Sequence, residues 1–262
     1  MSQANKFTHA AEAIAFDVKH RNTIKFNISR YDTAVSKGMA RYNNVELAKR
    51  QAAAIKRDVL QNWGNYLIQF EEKISARGVK VLWAKDAAEA TTFLEQILRD
   101  KDAKLLVKSK SMTTEEIELN ETAERIGCES VETDLGEFIV QVAGEKPYHI
   151  VTPAMHKSKG DIAKLFNEKF GTPIDSTPEE MTEYVRQVLR KKYTTAQVGV
   201  TGANFLIADI GGISVTENEG NGLMSTSFPK LHIVIAGIEK IIPSMTQLGL
   251  FYPLLAAHGT GQ

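Results

Sequence analysis

Short apolar runs alternate with segments of helical periodicity after Gly78, and this alternation is the feature that most restricts the fold. The runs cover residues 79–83, 103–107, 128–131 and 148–151, and helical segments at 86–99, 113–126 and 157–170 follow three of them. Apolar runs of this length that alternate with helices are typical of βαβ units. The sequence therefore predicts an α/β fold built on a mostly parallel sheet.

The regions on either side of this alternation have their own patterns. Residues 1–77 are predicted to be helical, with 12–37 forming an arm or a helix that packs on a partner or on its own domain. The last third predicts a helix at 177–192, a final helix at 241–257, and short strands, antiparallel or completing a mixed sheet, at 197–200, 204–209, 213–216 and 232–236. We divide the chain into a helical region (1–77), an α/β domain (78–257) and a linker (258–262).

Composition excludes several classes of function. The 32 basic and 32 acidic residues cancel, so no overall charge favours nucleic acid. The single cysteine, Cys128, can form no internal disulfide and is far short of the about four cysteines that hold an iron–sulfur cluster. No apolar stretch approaches the roughly 18 residues of a membrane span, and no secretory signal is visible. A cytoplasmic protein without a membrane span is expected.

The first candidate site follows the run at 103–107, where an apolar strand enters a turn rich in lysine and serine. Ligands of α/β proteins bind where strands end and the next helices begin, and free N–H groups there favour anions. The turn makes Lys108, Ser109, Lys110 and Ser111 candidates for binding a small anion. A solvated turn with a Ser/Thr cap, closed by Glu115 or Glu116, explains the same residues.

The second and third candidates follow later runs. Asp134 and Glu137, with Gly136 between them, form either a capping box or a carboxylate site that faces the lysine turn. His156 lies in a turn after a predicted strand and is a candidate ligand contact. His149 and His156 have no third ligand at suitable spacing, so we expect no metal site.

The fourth candidate is the segment 199–222, which is rich in glycine and asparagine. Glycines allow a ligand to approach the backbone closely, although a structural hairpin explains them equally well. The candidate ligand-binding residues in and after this segment are Gly202, Asn204, Gly212, Thr216, Asn218, Gly220, Asn221 and Lys230.

Four segments together resemble the LUD domain of the lactate-utilisation B proteins: 108–120, 132–157, 199–221 and 228–244. The resemblance implies a three-layer α/β sandwich, similar to the fold of the sugar-phosphate isomerases and CoA transferases and preceded by N-terminal helices. It also implies a place in an L-lactate-oxidising electron-transfer complex, an oxidoreductase, with other lactate-utilisation subunits as partners. Family members continue into a region with cysteine motifs for 4Fe–4S clusters, so no cofactor is expected within this chain.

Three functions are compatible with the sequence. The first is a domain that binds a small anionic ligand or cofactor within the lactate-oxidation complex and docks partner subunits. Its pocket would lie at the carboxyl edge of the sheet, lined by the lysine turn, the Asp134–Glu137 turn and the segment rich in glycine and asparagine. The second is an enzyme related to CoA transferases or sugar-phosphate isomerases, in which Glu137 or Glu115 is the nucleophile or general base. The third is an assembly module that docks through its N-terminal helices, and a homo-oligomer is compatible with each of the three.

Overall fold

A computed structural model describes residues 2–149, 151–217 and 219–262. The described helices are α1 Gln3–Ala15, α2 Val18–Met39, α3 Val45–Gln61, α4 Trp63–Ser75, α5 Ala87–Asp100, α6 Met112–Glu116, α7 Leu119–Arg125, α8 Leu135–Ala143, α9 Lys159–Phe170, α10 Pro178–Thr195, α11 Asn221–Ser227 and α12 Leu248–Gly259. The described strands are β1 Leu105–Lys108, β2 Glu129–Glu132, β3 Val198–Thr201, β4 Phe205–Ile207, β5 Gly212–Ser214, β6 Leu231–Val234 and β7 Ile241–Ile242.

A parallel sheet with the strand order β2-β1-β3-β6 forms the centre of the fold. β1 pairs with β2 on one side and β3 on the other, in a register that sets Lys108 opposite both Glu132 and Val200. A second, smaller sheet has the order β5-β4-β7, with one antiparallel and one parallel pair. Helices cover the large sheet on both faces, and the predicted α/β sandwich with N-terminal helices is confirmed.

Each face of the large sheet carries its own apolar core. Leu106 and Val107 are adjacent in β1 and therefore point to opposite faces, and both are completely buried. Leu106 packs in the core with residues of α5 and α7, whereas Val107 packs with residues of α8, α9 and α10. Strands buried on both faces appear in sequence as short continuous apolar runs, which is why the runs predicted the sheet.

Several helices begin at the capping residues that the sequence predicts. Thr177 caps α10 in a capping box with Glu180, and Pro178 takes the first helical position. The side chain of Asp134 accepts a hydrogen bond from the Glu137 N–H at 3.1 Å, so Asp134 caps α8 as predicted, but the Glu137 side chain does not bond back to Asp134 and the capping box is incomplete. Among the described helices, none combines the length and the apolar character that crossing a membrane requires.

Several predicted elements are wrong. Residues 79–83 form no strand and instead link α4 to α5, with Val79 and Trp83 partly exposed and Trp83 bonded to Glu71. Residues 148, 149 and 151 form bends and coil, and the remaining residue of that predicted strand, 150, lies outside the described residues. An apolar run forms a strand only when a neighbouring strand satisfies its backbone groups, and the described residues of these two runs pair with no strand.

Two predicted helices are interrupted, and one helix was missed. The helix expected at 113–126 breaks at Glu118, whose positive φ of 54° separates α6 from α7. The helix expected from residue 241 begins at Leu248, because Ile241–Ile242 pair in the small sheet and Ser244 caps a short 3-10 turn. α11 occupies part of a segment expected to be turns and starts after Gly220, which has a positive φ of 77°.

The contact between β3 and α11 depends on Gly199, because a Cβ there would collide with the carbonyl oxygen of Ser225. Gly199→Ala is expected to lower the free energy of unfolding by about 2–3 kcal/mol through overpacking. Gly64→Ala is the matched control, because that helical glycine has open space around it and alanine there should gain about 0.5–1 kcal/mol. Urea denaturation of both variants measures the difference, and equal stabilities would contradict the assigned contact.

Candidate functional site

Polar turns meet at one edge of the large sheet because parallel strands end there together. β1 ends at Lys108, β2 at Glu132 and β3 at Thr201, and the turns after them open into a cleft of about 800 Å³. We call it the edge cleft. Eight of the predicted ligand-binding residues line it: Ser109, Lys110, Ser111, Asp134, Gly202, Asn204, Thr216 and Asn221. This is the position at which open α/β sheets bind ligands.

Close packing of two turns forms the floor of the edge cleft. A Cβ on Gly202 would lie 2.6 Å from Ser111 Oγ, so only glycine allows the turn after β3 to approach the turn after β1 this closely. Asn204 Oδ1 accepts hydrogen bonds from the backbone N–H of Thr216, at 2.8 Å, and from its hydroxyl, at 3.0 Å. The predicted Gly202, Asn204 and Thr216 therefore help to shape the cleft wall.

Three carboxylates of the edge cleft accept hydrogen bonds at helix N-termini. Asp134 caps α8, Glu219 Oε2 accepts from the Leu135 N–H at 3.2 Å, and Glu217 Oε2 accepts from the Leu223 N–H at 2.8 Å. Carboxylates are stabilised at such positions by free N–H groups and the helix dipole. Their charge is thus partly offset by the protein itself, although at Glu219 burial and the charge of Asp134 outweigh the hydrogen bond and raise the pKa above its ordinary value.

Lys110 supplies a positive charge to the edge cleft. Its Nζ donates to the Val151 carbonyl oxygen at 2.9 Å, and within the described part of the chain no carboxylate forms an ion pair with it. A neutral carbonyl positions the ammonium group without neutralising it. Lys110 is therefore suited to pair with an anion that enters the cleft.

Lys108 has a different role from the one predicted, because it lies completely buried beneath the cleft. Its Nζ donates to Thr114 Oγ1 at 2.9 Å and forms ion pairs with Glu115 Oε1 at 2.7 Å and Glu132 Oε1 at 2.8 Å. Burial alone would lower the pKa of Lys108, but the two carboxylates outweigh it and raise the pKa above its ordinary value. Lys108 therefore stays charged and joins β1, β2 and α6 through a buried ion-pair network.

Glu115, Glu132 and Glu137 form what we call the acidic trio, since one carboxylate oxygen of each lies within 4.8 Å of those of the other two. Burial raises the pKa of Glu132, whose Oε1 also accepts from Asn120 Nδ2 at 2.8 Å. Burial, followed by the charge of Glu132, raises the pKa of Glu137 to about 7. Sequence reasoning missed Glu132, although its position directly after the apolar run 128–131 was an available signal; only the structure shows its register with Lys108.

The remaining predicted residues lie elsewhere. Gly136 lines a neighbouring cleft of about 680 Å³ against α2, and His156 Nε2 lies 2.7 Å from Glu145 Oε2. Gly212 packs in β5 against Ile210, Gly220 precedes α11, and Lys230 is exposed outside the edge cleft. Asn218 lies outside the described residues. The structure thus gathers the turns after β1, β2 and β3, but does not bring His156, Gly212 or Lys230 to them.

Removing the charge of Lys108 should strongly destabilise the fold, because it leaves buried carboxylates without their cation. We expect Lys108→Met to lower the free energy of unfolding by about 3–5 kcal/mol. Lys164→Met is the control, since Lys164 is largely exposed in α9 and its ion pair with Glu168 is on the surface. Chemical denaturation of both variants provides the comparison. A Lys108→Met protein as stable as the control would refute the claim that the Lys108 ion-pair network holds these elements together.

The raised pKa of Glu137 predicts a pH-dependent stability difference. The fold favours the protonated carboxyl, so its contribution is complete below the ordinary pKa of 4.5 and disappears as the pH rises through about 7. In metal-free buffer, the stability of the wild type minus that of Glu137→Gln should fall by roughly 2 kcal/mol between pH 5 and pH 8. Glu168→Gln, at a largely exposed side chain, should show no such trend in parallel denaturation curves.

Comparison with known proteins identifies the family. The profile of the LUD domain matches residues 67–262. The chain is 44% identical over 220 residues to lactate utilization protein B of Bacillus pumilus, covering 84% of this chain and 46% of that protein. It is 44% identical over 208 residues to lactate utilization protein B of Bacillus cytotoxicus, covering 79% of this chain and 44% of that protein.

The chain spans about half the length of the curated relatives it matches. No solved structure matches it. The match to the family profile covers the whole large sheet and every turn of the edge cleft, from before α5 to the end of α12. On this evidence the chain belongs to the LUD domain family.

Proposed function

We propose that this chain is the LUD-domain part of a lactate-utilisation protein and binds a small anionic ligand or cofactor in the edge cleft. In this proposal it acts within an L-lactate-oxidising complex, together with the other lactate-utilisation subunits. The names of its relatives, which share 43–44% of their aligned residues with it, support the metabolic role. The edge cleft supports the binding role.

The observation that carries the binding role is the unpaired charge of Lys110 in a polar cleft. Hydroxyl groups of Ser109 and Ser111 and the side-chain amides of Asn204 and Asn221 line the same space. A cation with neutral donors around it matches a carboxylate that also carries a hydroxyl or keto oxygen.

The charges of the cleft also restrict the ligand. Asp134, Glu217 and Glu219 bring three carboxylates to the lining, against the two lysines Lys110 and Lys240. A polyphosphate would be repelled by this balance, whereas a singly charged carboxylate needs only one lysine. Lactate and pyruvate are therefore the first ligands to test.

An iron–sulfur cluster held by about four cysteines would require ligands that this chain does not supply. Cys128 is its one cysteine, it is buried, and burial raises the pKa of its thiol. A cluster-bearing segment or subunit would hold the electron acceptor, and the LUD domain would hold the ligand. The greater length of the relatives is compatible with such a division.

The alternative of a CoA-transferase-like or isomerase-like enzyme needs a glutamate that reaches the ligand. Glu137 has a pKa near 7, which suits a proton-transferring group. However, neither Glu137 nor Glu115 is among the residues that line the edge cleft, and Glu115 is paired with Lys108. This geometry favours ligand binding over a covalent glutamate intermediate.

Calorimetric titration of the chain with lactate, pyruvate and nucleotides tests the proposal. We expect a monocarboxylate to bind and Lys110→Ala to weaken its binding by about 10- to 100-fold, the value of a charge-assisted hydrogen bond. Lys164→Ala removes an exposed lysine remote from the cleft lining and should leave the affinity unchanged. No binding, or equal binding by the two variants, would refute the assignment of the edge cleft.

A further inference from the structure

We propose that the acidic trio of Glu115, Glu132 and Glu137 is a binding site for one hard divalent cation of the Mg²⁺ or Mn²⁺ class. Neither the family assignment nor the proposed ligand site includes such a cation. The site lies beneath the edge cleft, and the inference does not depend on whether the cleft binds a monocarboxylate.

The geometry of the trio fits a shared ion. Two oxygens bound to one Mg²⁺ ion lie at most about 4.2 Å apart, since each bond is about 2.0–2.1 Å long, so three carboxylate oxygens within 4.8 Å of one another need only small side-chain movements to share it. The residues come from three elements, since Glu115 lies in α6, Glu132 ends β2 and Glu137 lies in α8. The trio is therefore assembled by the tertiary fold, which is why the sequence predicted no metal site.

A second observation is that one fully buried oxygen of the trio has no partner among the described residues. Glu132 Oε2 is buried and has no hydrogen-bond partner in the part of the chain that the structure describes. The side chain of Glu137 is also almost completely buried, and its carboxyl group forms no hydrogen bond or ion pair with any described residue. Buried carboxylate oxygens are costly unless a proton, donor or cation compensates them.

Lys108 compensates the trio only in part. Its ammonium group contacts the Oε1 atoms of Glu115 and Glu132, which leaves Glu132 Oε2 and the Glu137 carboxyl group unbonded. One positive charge faces three carboxyl groups, so ionisation of all three leaves two negative charges. A divalent ion supplies the missing charge, and repulsion from Lys108 makes moderate affinity the expectation.

The ligand set and the access route define the class of ion. The trio offers carboxylate oxygens alone, without histidine or cysteine, which favours Mg²⁺ or Mn²⁺ over Zn²⁺. The Glu115 side chain is 25% exposed, whereas those of Glu132 and Lys108 are almost fully buried, so an ion would enter past Glu115. A bound ion would also add positive potential below Lys110.

The test is a Mn²⁺ titration of the chelator-stripped full chain, followed by electron paramagnetic resonance, with Mg²⁺ as competitor. One saturable site that Mg²⁺ displaces is expected. Glu137→Gln should weaken Mn²⁺ binding by about 100-fold or more, since even second-shell changes at metal sites cost 10- to 100-fold. Glu168→Gln, at an exposed carboxylate of α9, should bind as the wild type does.

Glu115→Gln keeps the test decisive if Glu137→Gln does not fold, as judged by circular dichroism. Glutamine at position 115 can still accept a hydrogen bond from Lys108, which keeps its ion pair with Glu132, so the fold should tolerate this replacement, while Mn²⁺ binding should weaken as in Glu137→Gln. Absence of Mn²⁺ and Mg²⁺ binding into the millimolar range would overturn the proposal. Equal binding by wild type, Glu115→Gln and Glu168→Gln would overturn it as well, because the ion would then lie elsewhere on the surface.

Discussion

The ion-pair network of Lys108 is the constraint on which the edge of the sheet depends. The large sheet is covered on both faces, so a charge at the end of β1 cannot reach water and must find its partners inside the protein. Glu132 on the neighbouring strand and Glu115 on the following helix provide them, at 2.8 Å and 2.7 Å. The network thereby fixes the directions in which the turns after β1 and β2 leave the sheet.

Two charged layers follow from that arrangement. Lys110 lies two residues beyond Lys108 and lines the edge cleft, where its ammonium group bonds to a carbonyl oxygen and forms no ion pair with a carboxylate of the described residues. Below it, the trio contains more carboxyl groups than Lys108 can pair with, and Glu132 keeps a buried oxygen without a described partner. The upper layer is suited to an anion and the lower layer to a cation. A parallel sheet allows both because its strand ends bring distant segments to one edge.

The differences between sequence prediction and structure have a common physical cause. The runs at 103–107 and 128–131 became strands because each has a parallel neighbour, whereas the equally apolar run at 79–83 has none and stays partly exposed. Lysines 108 and 110 are indistinguishable in a sequence motif. In the fold, however, Lys108 is buried and ion-paired, whereas Lys110 lines the edge cleft. Strand pairing and burial are properties of the assembled chain, and the periodicity of a single segment does not contain them.

The sequence alone determined the α/β class and the capped helix starts at Asp134 and Thr177, and it placed the lysine–serine turn at the edge of the sheet, where the cleft lies. These features depend on interactions between residues that are close in the chain, so a local sequence pattern is enough to predict them. The sequence also predicted that the turns near residues 110, 134 and 204–221 line one pocket, and they do share one cleft. Only the tertiary structure decided that Glu132 joins Lys108 and that Glu137 is buried beside it. The physical reason is that crossover connections bring together residues up to about a hundred positions apart, and their electrostatics arise only once water has been excluded between them.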